Sequence, residues 1–425
     1  MTTSTTARPA ARPARATTTR PGADDPGHAD RCGAGTPAGN VSTDPAGDDA
    51  RHGGDEMSTT ARETTADAFE RRLTPTPRSA AERAELIAAP VFGTVFTDHM
   101  ARITWTAETG WTDRRIEPYG PLQLDPAAAV LHYGQEIFEG LKAYRHADGS
   151  VWTFRPWANA ARFAQSARRL ALPELPAEDF LGSIEALVGV DVEWVPGADE
   201  TSLYLRPFMF ASEAFLGVRP ARRVDFLLIA SPVGPYFSGG VKPVSIWVSQ
   251  DYNRAGPGGT GAAKCGGNYA GVMAAQLEAE RHGCSQVGFV DAVERRYVEE
   301  LGGMNLFAVT ADGELITPNL TGTILPGVTR SAILQLAEEV GVTAVERPIE
   351  LRELRTRADD GSLTELFACG TAAVITPIGR FADLDGEHVV AGGRPGEVTL
   401  QLRGILTDIQ YGRRPDERGW LTRLA

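Results

Sequence analysis

The sequence predicts a two-domain α/β or α+β protein of enzyme size, on three observations. Its 425 residues, 42% hydrophobic and 23% charged, exceed one domain at roughly 100–200 residues each. From about residue 80 onward, short apolar runs alternate with stretches of helical periodicity. PVGPYFSGGVKP (232–243), dense in Pro and Gly between two apolar runs, is the best boundary in the chain. The organisation that follows is an extension over 1–56, a small domain over 57–231, an interdomain loop at 232–243 and a larger domain over 244–425.

After Met1, residues 1–56 hold a single large apolar residue, Val41. Such a stretch cannot bury enough surface to offset its ordering entropy, so it is expected to be disordered. Its first 23 residues are rich in Arg and Thr and free of acids, superficially like a targeting segment, but they lack an amphipathic apolar face. Met57 opens MSTTARETTADAF, and translation is expected to start there. Further on, WANAARFAQSARRLAL (157–172) spaces its apolar groups as a helix does. RRVDFLLIAS (222–231) is a buried strand by its continuous apolar run. In the second half VSIWVSQ, SQVGFVD, MNLFAVT and ELFACGT read as strands. NYAGVMAAQLEAERHG, TRSAILQLAEEVG and EVTLQLRGILTDIQYG read as amphipathic helices ending at glycine. No internal repeat is visible.

With 42 Lys and Arg against 55 Asp and Glu the net charge is −13, so no basic face points to nucleic acid or an anionic membrane. No run approaches the ~20 apolar residues of a bilayer span. Cys32, Cys265, Cys284 and Cys369 lie far apart. They read as free thiols in a reducing compartment, with a cytoplasmic location expected. The seven histidines are equally scattered, so no metal is expected. Only three of the 42 basic residues are lysines, Lys142, Lys242 and Lys264. In a chain that writes its surface cations as Arg, a retained lysine points to chemistry that arginine cannot do, since a lysine amine can be deprotonated and attack a carbonyl.

Three segments carry chemistry. GPGGTGAAKCGGNYAG (256–271) has seven glycines in sixteen residues, with Lys264 in its middle. So many glycines are tolerated where backbone must approach a ligand or adopt positive φ. The loop lacks the G-K-[ST] end of a P-loop. Its lysine suits a Schiff base with an aldehyde or ketone, and a flexible surface loop is the plain alternative. YVEELGGMNLF (297–307) sets Glu299 and Glu300 before a Gly-Gly turn. LPGVTR (325–330) then opens a helix whose first amides, Val328 and Thr329, suit phosphate. Read alone, the carboxylates fit a solvated strand end and LPGVTR an ordinary helix start. FACGTAAVITP (367–377) suits a turn whose amides face a ligand, or equally a packed turn.

Taken together, E-x-G-x-x-N-[LF]-F from Glu300 to Phe307, L-I-T (315–317) and L-P-G-V-T-R (325–330) resemble the signature of class IV pyridoxal-phosphate aminotransferases. HYGQEIFEGLKAYR (132–145), SLYLRP (202–207), GGNYAG and GTAAVITP resemble the branched-chain amino-acid aminotransferases in particular, bacterial type. The resemblance runs from about Val91 to Gln410. It implies a fold-type IV enzyme, a small N-terminal and a larger C-terminal domain with pyridoxal phosphate between them, usually as a homodimer. By motif, Lys264 matches the lysine that binds the cofactor covalently, Tyr269 the tyrosine on its phenolic oxygen, and Glu300 the carboxylate facing the pyridine nitrogen. Glu299 would point to the other strand face. Arg162 matches the phosphate-binding arginine, aided by the amides of Val328 and Thr329 and by Thr371, whereas Arg155 reads as structural.

For the substrate, Phe92, Tyr133, Phe138, Tyr204 and Tyr236 match aromatic positions around the side-chain pocket, Arg206 an arginine for the second carboxylate of glutamate, and the amides of Thr371 and Ala372 the α-carboxylate site. Tyr236 lies in the 232–243 loop, which is expected to close over the site. The implied reaction is reversible transamination of leucine, isoleucine and valine with 2-oxoglutarate. Two departures stand out. Ala373 and Thr376 occupy the positions of the C-x-x-C redox pair of mammalian members, and Gly303 replaces their threonine near the ring. A D-amino-acid aminotransferase or an aminodeoxychorismate lyase is the nearest alternative. A non-catalytic binder of a phosphate ligand is the distant one.

Overall fold

The structure is a computed structural model that describes residues 65–234 and 241–425, all within one compact unit, Ala61–Ala425. The 1–56 extension, the start at Met57, Cys32 and Tyr236 lie outside the described residues.

The first sheet runs, in spatial order, through Glu70–Arg71, Gly110–Pro118, His99–Thr106, Arg223–Val233, Ser202–Ala211, Leu141–Arg145, Val151–Phe154 and Leu421–Arg423. Glu136–Phe138 pairs with Ser202–Ala211 beside this path. Arg223–Val233 is bonded on both edges, which is why its sequence is apolar without alternation. Helices Pro156–Arg169 and Ala177–Val190 pack on this sheet. Phe163 from the first, Phe180 from the second and Phe226 from the central strand meet ring to ring in the core. The helix expected over 157–172 stops at Arg169. Ala171 turns left-handed at φ 52, and the Leu172 N–H returns to the Ala167 carbonyl at 2.9 Å, closing the last turn as a Schellman motif does.

The second sheet is built from strands between Val244 and Val389. Tyr297–Leu301 and Asn305–Thr310 stand apart along its path yet also pair with each other, Glu300 opposite Asn305. The strands between them therefore close into a ring, and Glu300 sits at the closure. Helices Val328–Leu336 and Glu397–Gln410 bury Ile333, Leu402 and Leu406 against Phe307 and Phe367 on one face. Helix Leu351–Asp359 covers another cluster with Leu354 and Phe381. The chain then crosses back, so that Leu421–Arg423 completes the first sheet and Trp420 stands edge-on to Phe154 at 5.4 Å.

The stretch expected as one helix over 268–283 is two, Gly266–Ala270 and Met273–Arg281. The break falls at Gly271, a residue with little helical preference.

Candidate active site

In the glycine-rich loop two chain segments run together at Gly261. A Cβ on Gly261 would collide with the backbone of Thr323. Arg254, itself buried, staples the two by donating from Nη1 to the carbonyls of Gly261 (3.3 Å) and Thr323 (3.1 Å). Lys264 is then clamped by the first sheet and a helix packed on it. Its N–H donates to Ser166 Oγ at 2.9 Å, its carbonyl accepts from the Phe138 N–H at 2.9 Å, and the Gly266 N–H donates to the Glu136 carboxylate.

The Lys264 side chain ends in a cavity of about 310 Å3. Its Nζ donates to Tyr269 Oη at 2.7 Å and lies 4.6 Å from the centre of the Phe138 ring. Burial, followed by the charge of Arg162, pushes the amine down to about 8. Burial pushes the Tyr269 phenol up to about 12. The amine is therefore neutral in a large fraction of molecules near pH 8, the state a nucleophile needs.

Across the cavity stands Glu300, 2% exposed. It takes 2.7 Å from Arg254 and accepts from the Leu325 N–H at 2.8 Å. Burial raises its carboxyl to about 7, with Arg254 pulling the other way. Glu299, one residue earlier on the strand, lines a separate cavity on the opposite side and accepts from the Thr323 hydroxyl.

Arg162 reaches the same cavity from helix Pro156–Arg169. Its Nε and Nη2 donate to the two Glu139 oxygens at 2.7 and 2.8 Å, and Nη1 to the Pro326 carbonyl at 3.1 Å. Of the five N–H bonds of a guanidinium, two are left for a ligand. Burial pushes Glu139 up, but the Arg162 charge and hydrogen bonds outweigh it and hold the carboxyl low. Beside Arg162, helix Val328–Leu336 opens at Gly327 with no side-chain cap, and Val328 and Thr329 line the cavity. Open helix amides aimed at a cavity attract an anion.

Thr371, Ala372 and Ala373, in the turn between strands Leu363–Gly370 and Val374–Asp383, form another wall. Phe92, Phe138, Tyr204 and Arg206 supply the rest. Phe92 meets Tyr204 edge-on at 5.0 Å, and Arg206 lies over Phe138 at 4.9 Å while donating to Tyr204 Oη at 2.9 Å. Gly303 also lines the cavity, and a Cβ there would come 3.4 Å from the Tyr269 ring.

One residue singled out in sequence does not join this group. Tyr133 is 43% exposed, outside the cavity lining, and donates to the Leu216 carbonyl. Tyr236 is outside the described residues. Arg155 stays away from the cavity, over the Trp420 ring at 5.3 Å. The structure adds Glu139 and Arg254, the buried partners of Arg162 and Glu300. Glu139 left only a faint trace in sequence, an acid between Phe138 and Gly140 three residues after Glu136. Arg254 left none, because arginine is this chain's ordinary cation.

The donors fit pyridoxal phosphate: an amine for its carbonyl, a phenol beside it, a carboxylate for a ring nitrogen, and an uncapped helix start with an arginine for its phosphate. Such a set defines a pyridoxal-phosphate enzyme. Residues 136–381 match the family Amino-transferase class IV. The chain is 56% identical over 352 residues to a branched-chain-amino-acid aminotransferase of Mycolicibacterium smegmatis, covering 82% of this chain and 96% of that protein. It is 55% identical over 350 residues to a probable branched-chain-amino-acid aminotransferase of Streptomyces coelicolor, with the same coverage. Among solved structures, the Escherichia coli branched-chain amino acid aminotransferase superposes with a TM-score of 0.63 at 30% identity, over 76% of this chain and all of that one. The Thermobaculum terrenum branched-chain amino acid aminotransferase in its PLP-form gives 0.62 at 26%, over 76% and 98%. The chain belongs to the class IV aminotransferases, which depend on pyridoxal phosphate, and within them to the branched-chain-amino-acid group.

Among the described residues no helix is long and apolar enough to cross a membrane. No cluster of His, Cys, Asp and Glu among them could hold a metal ion.

Proposed function

We propose that the chain transaminates L-leucine, L-isoleucine and L-valine reversibly with 2-oxoglutarate. The observation that carries this reading is the convergence on one cavity of Lys264, Tyr269 and Glu300 with an apolar wall of Phe92, Phe138 and Tyr204 and the cation of Arg206. Pyridoxal phosphate, when bound, supplies the carbonyl that takes up the amino group and the ring that accepts electrons from Cα.

Lys264 Nζ would hold the cofactor's carbonyl, and as a free amine it would carry the Cα proton. Its lowered basicity suits both tasks. Glu300, backed by Arg254, is the anion that keeps a proton on the pyridine nitrogen. Tyr269 Oη orients the amine and the phenolic oxygen. Arg162, the amides of Val328 and Thr329 and the Thr371 hydroxyl hold the phosphate. The amides of Thr371 and Ala372 take the α-carboxylate. The aromatic wall fits a branched aliphatic chain, and Arg206 serves the second carboxylate when 2-oxoglutarate enters the same pocket.

The enzyme acts as a cytoplasmic homodimer in this reading. Its support is an exposed apolar surface of Leu131, Tyr133, Leu216 and Val218, 43–89% accessible in the single chain. The test is the visible absorbance of the purified enzyme before and after L-leucine without any oxo acid. Loss of the yellow band supports the reading. A band that L-leucine leaves unchanged and D-alanine bleaches sinks it in favour of D-amino-acid transfer.

A further inference from the structure

Lys142 is a second of the chain's three lysines, and the reaction above gives it no task. It projects from strand Leu141–Arg145 and is only 9% exposed. Among the described residues its one hydrogen bond runs from Nζ to the Ala372 carbonyl, at 2.9 Å. Among the described residues no carboxylate pairs with it. Glu200 acts on it at a distance but is already taken in bidentate fashion by Arg403, at 2.9 and 3.1 Å. Burial, followed by the Arg403 charge, pushes the Lys142 amine down to about 8, so below that pH two cations and one anion leave a net positive charge behind the Thr371–Ala373 turn. Lys142 does not line the reaction cavity, whereas Thr371, Ala372 and Ala373 do. It lines instead two small cavities of about 20 Å3 on the far side of the turn, each with room for one water. Gln410 borders both, and its buried Oε1 has no protein partner.

A buried ammonium without a counter-ion is costly and is retained where its field or its donor is needed. In a trans peptide the C=O and N–H point in opposite directions. A cation that pins the Ala372 oxygen to the rear therefore turns the N–H of the same peptide, that of Ala373, forward. It also fixes the amides that precede it.

We propose that Lys142 is a positioning residue for substrate carboxylates: it locks the Thr371–Ala373 turn from behind and lends it an uncompensated positive charge. The inference rests on the transaminase reading, in which this turn receives the α-carboxylate. It assigns to Lys142 an effect on carboxylate affinity and none on the proton transfer at Lys264.

The experiment compares the wild-type holoenzyme with Lys142→Met and Lys142→Arg. We measure kcat and KM for L-leucine and 2-oxoglutarate, the visible band of bound cofactor, and by calorimetry the affinity for 4-methylvaleric acid, a carboxylate that cannot react. For Lys142→Met, both KM values and the acid's Kd rise about tenfold, while kcat stays within about threefold and the band is retained; tenfold is about 1.4 kcal/mol of binding. Lys142→Arg, which keeps charge and donors, restores most of the affinity. Unchanged KM and Kd in Lys142→Met overturn the proposal. So does a fall of kcat, cofactor content and melting temperature together, or failure of both Lys142→Met and Lys142→Gln to fold, since each marks a residue of the fold alone. A wild-type enzyme inert toward L-leucine refutes the transaminase reading instead.

Discussion

Replacing Arg254 by Met removes the cation that, among the described residues, pairs with Glu300, and fills similar space with an apolar chain. Two losses follow. The carbonyls of Gly261 and Thr323 lose their donor, at about 1 kcal/mol each, and this part is the same at every pH. The second part depends on pH through Glu300. Its folded-state carboxyl is raised to about 7 from an ordinary 4.5. The stability this gives is fully present below pH 4.5 and lost as pH rises through about 7. An opposite charge in contact lowers a carboxyl by about 1–3 pKa units, so the variant's carboxyl lies higher still and the loss continues above pH 7. At pH 8 this adds about 1 kcal/mol, one pKa unit converted.

The variant is thus less stable than wild type by about 2 kcal/mol at pH 5 and about 3 at pH 8. At about 2 cal/mol/K per residue over Ala61–Ala425, those figures correspond to melting shifts of about 3 and 4 °C. Calorimetry of the cofactor-free proteins at the two pH values reads them. Activity moves in the same sense. Without Arg254 the Glu300 carboxylate is harder to keep ionised, so the acid limb of the kcat profile shifts to higher pH. Equal destabilisation at pH 5 and pH 8, with an unmoved acid limb, would refute the reasoning, because Arg254 would then be acting on the backbone alone.

Lys264→Ala abolishes turnover, and borohydride reduction of the wild type followed by peptide mass spectrometry places the retained cofactor on the peptide carrying residue 264; steady-state activity in the variant would sink the assignment. Because the Lys264 amine lies at about 8 and only its neutral form attacks, recombination of cofactor-free protein with pyridoxal phosphate speeds up about tenfold per pH unit below 8 and levels off above it. Stopped-flow absorbance checks this, and a flat profile between pH 6 and 8 contradicts it. Gly327→Ala drives a Cβ into Asn305 Oδ1, disturbing the Asn305 bond to the Leu325 carbonyl beside Glu300. It costs about 1–3 kcal/mol as overpacking does and speeds cofactor loss on dialysis, whereas cofactor retention equal to wild type counts against a phosphate site at this helix start.

What was legible in the sequence was what the local chain dictates. Lys264 stood out because arginine had displaced lysine almost everywhere else, and the alternation of a strand sufficed to send Glu299 and Glu300 to opposite sides. The apolar run at 222–231 read correctly as a strand because a central position leaves it no wet face. Pairings through space were not legible. Glu139 with Arg162, and Glu300 with Arg254, join residues whose spacing has no period, and an arginine in this chain carries no information until its partner is seen. Tyr133 fell into the pocket group by its motif alone; the left-handed Gly134 that follows it, at φ 57, turns the chain between it and Phe138. The break at Gly271 escaped because the apolar spacing runs on across it.

The two hidden pairs explain how a chain of net charge −13 builds a site for anions. A phosphate and two carboxylates need local cations, yet free arginines in a closed cavity would repel one another and hold water. Here Glu139 neutralises Arg162 from one side while leaving two of its N–H bonds open, and Arg254 neutralises Glu300, so neither pair adds net charge to the cavity. The charges that remain in play are Lys264 and Arg206, with the uncapped helix at Val328 and Lys142 behind the turn. Among the described residues none of these is ion-paired with a carboxylate, and the two lysines carry their charge below about pH 8. Overall charge governs encounter over distances of about a Debye length, some 8–10 Å; the sign of the ligand is set by which of the buried cations were left unpaired.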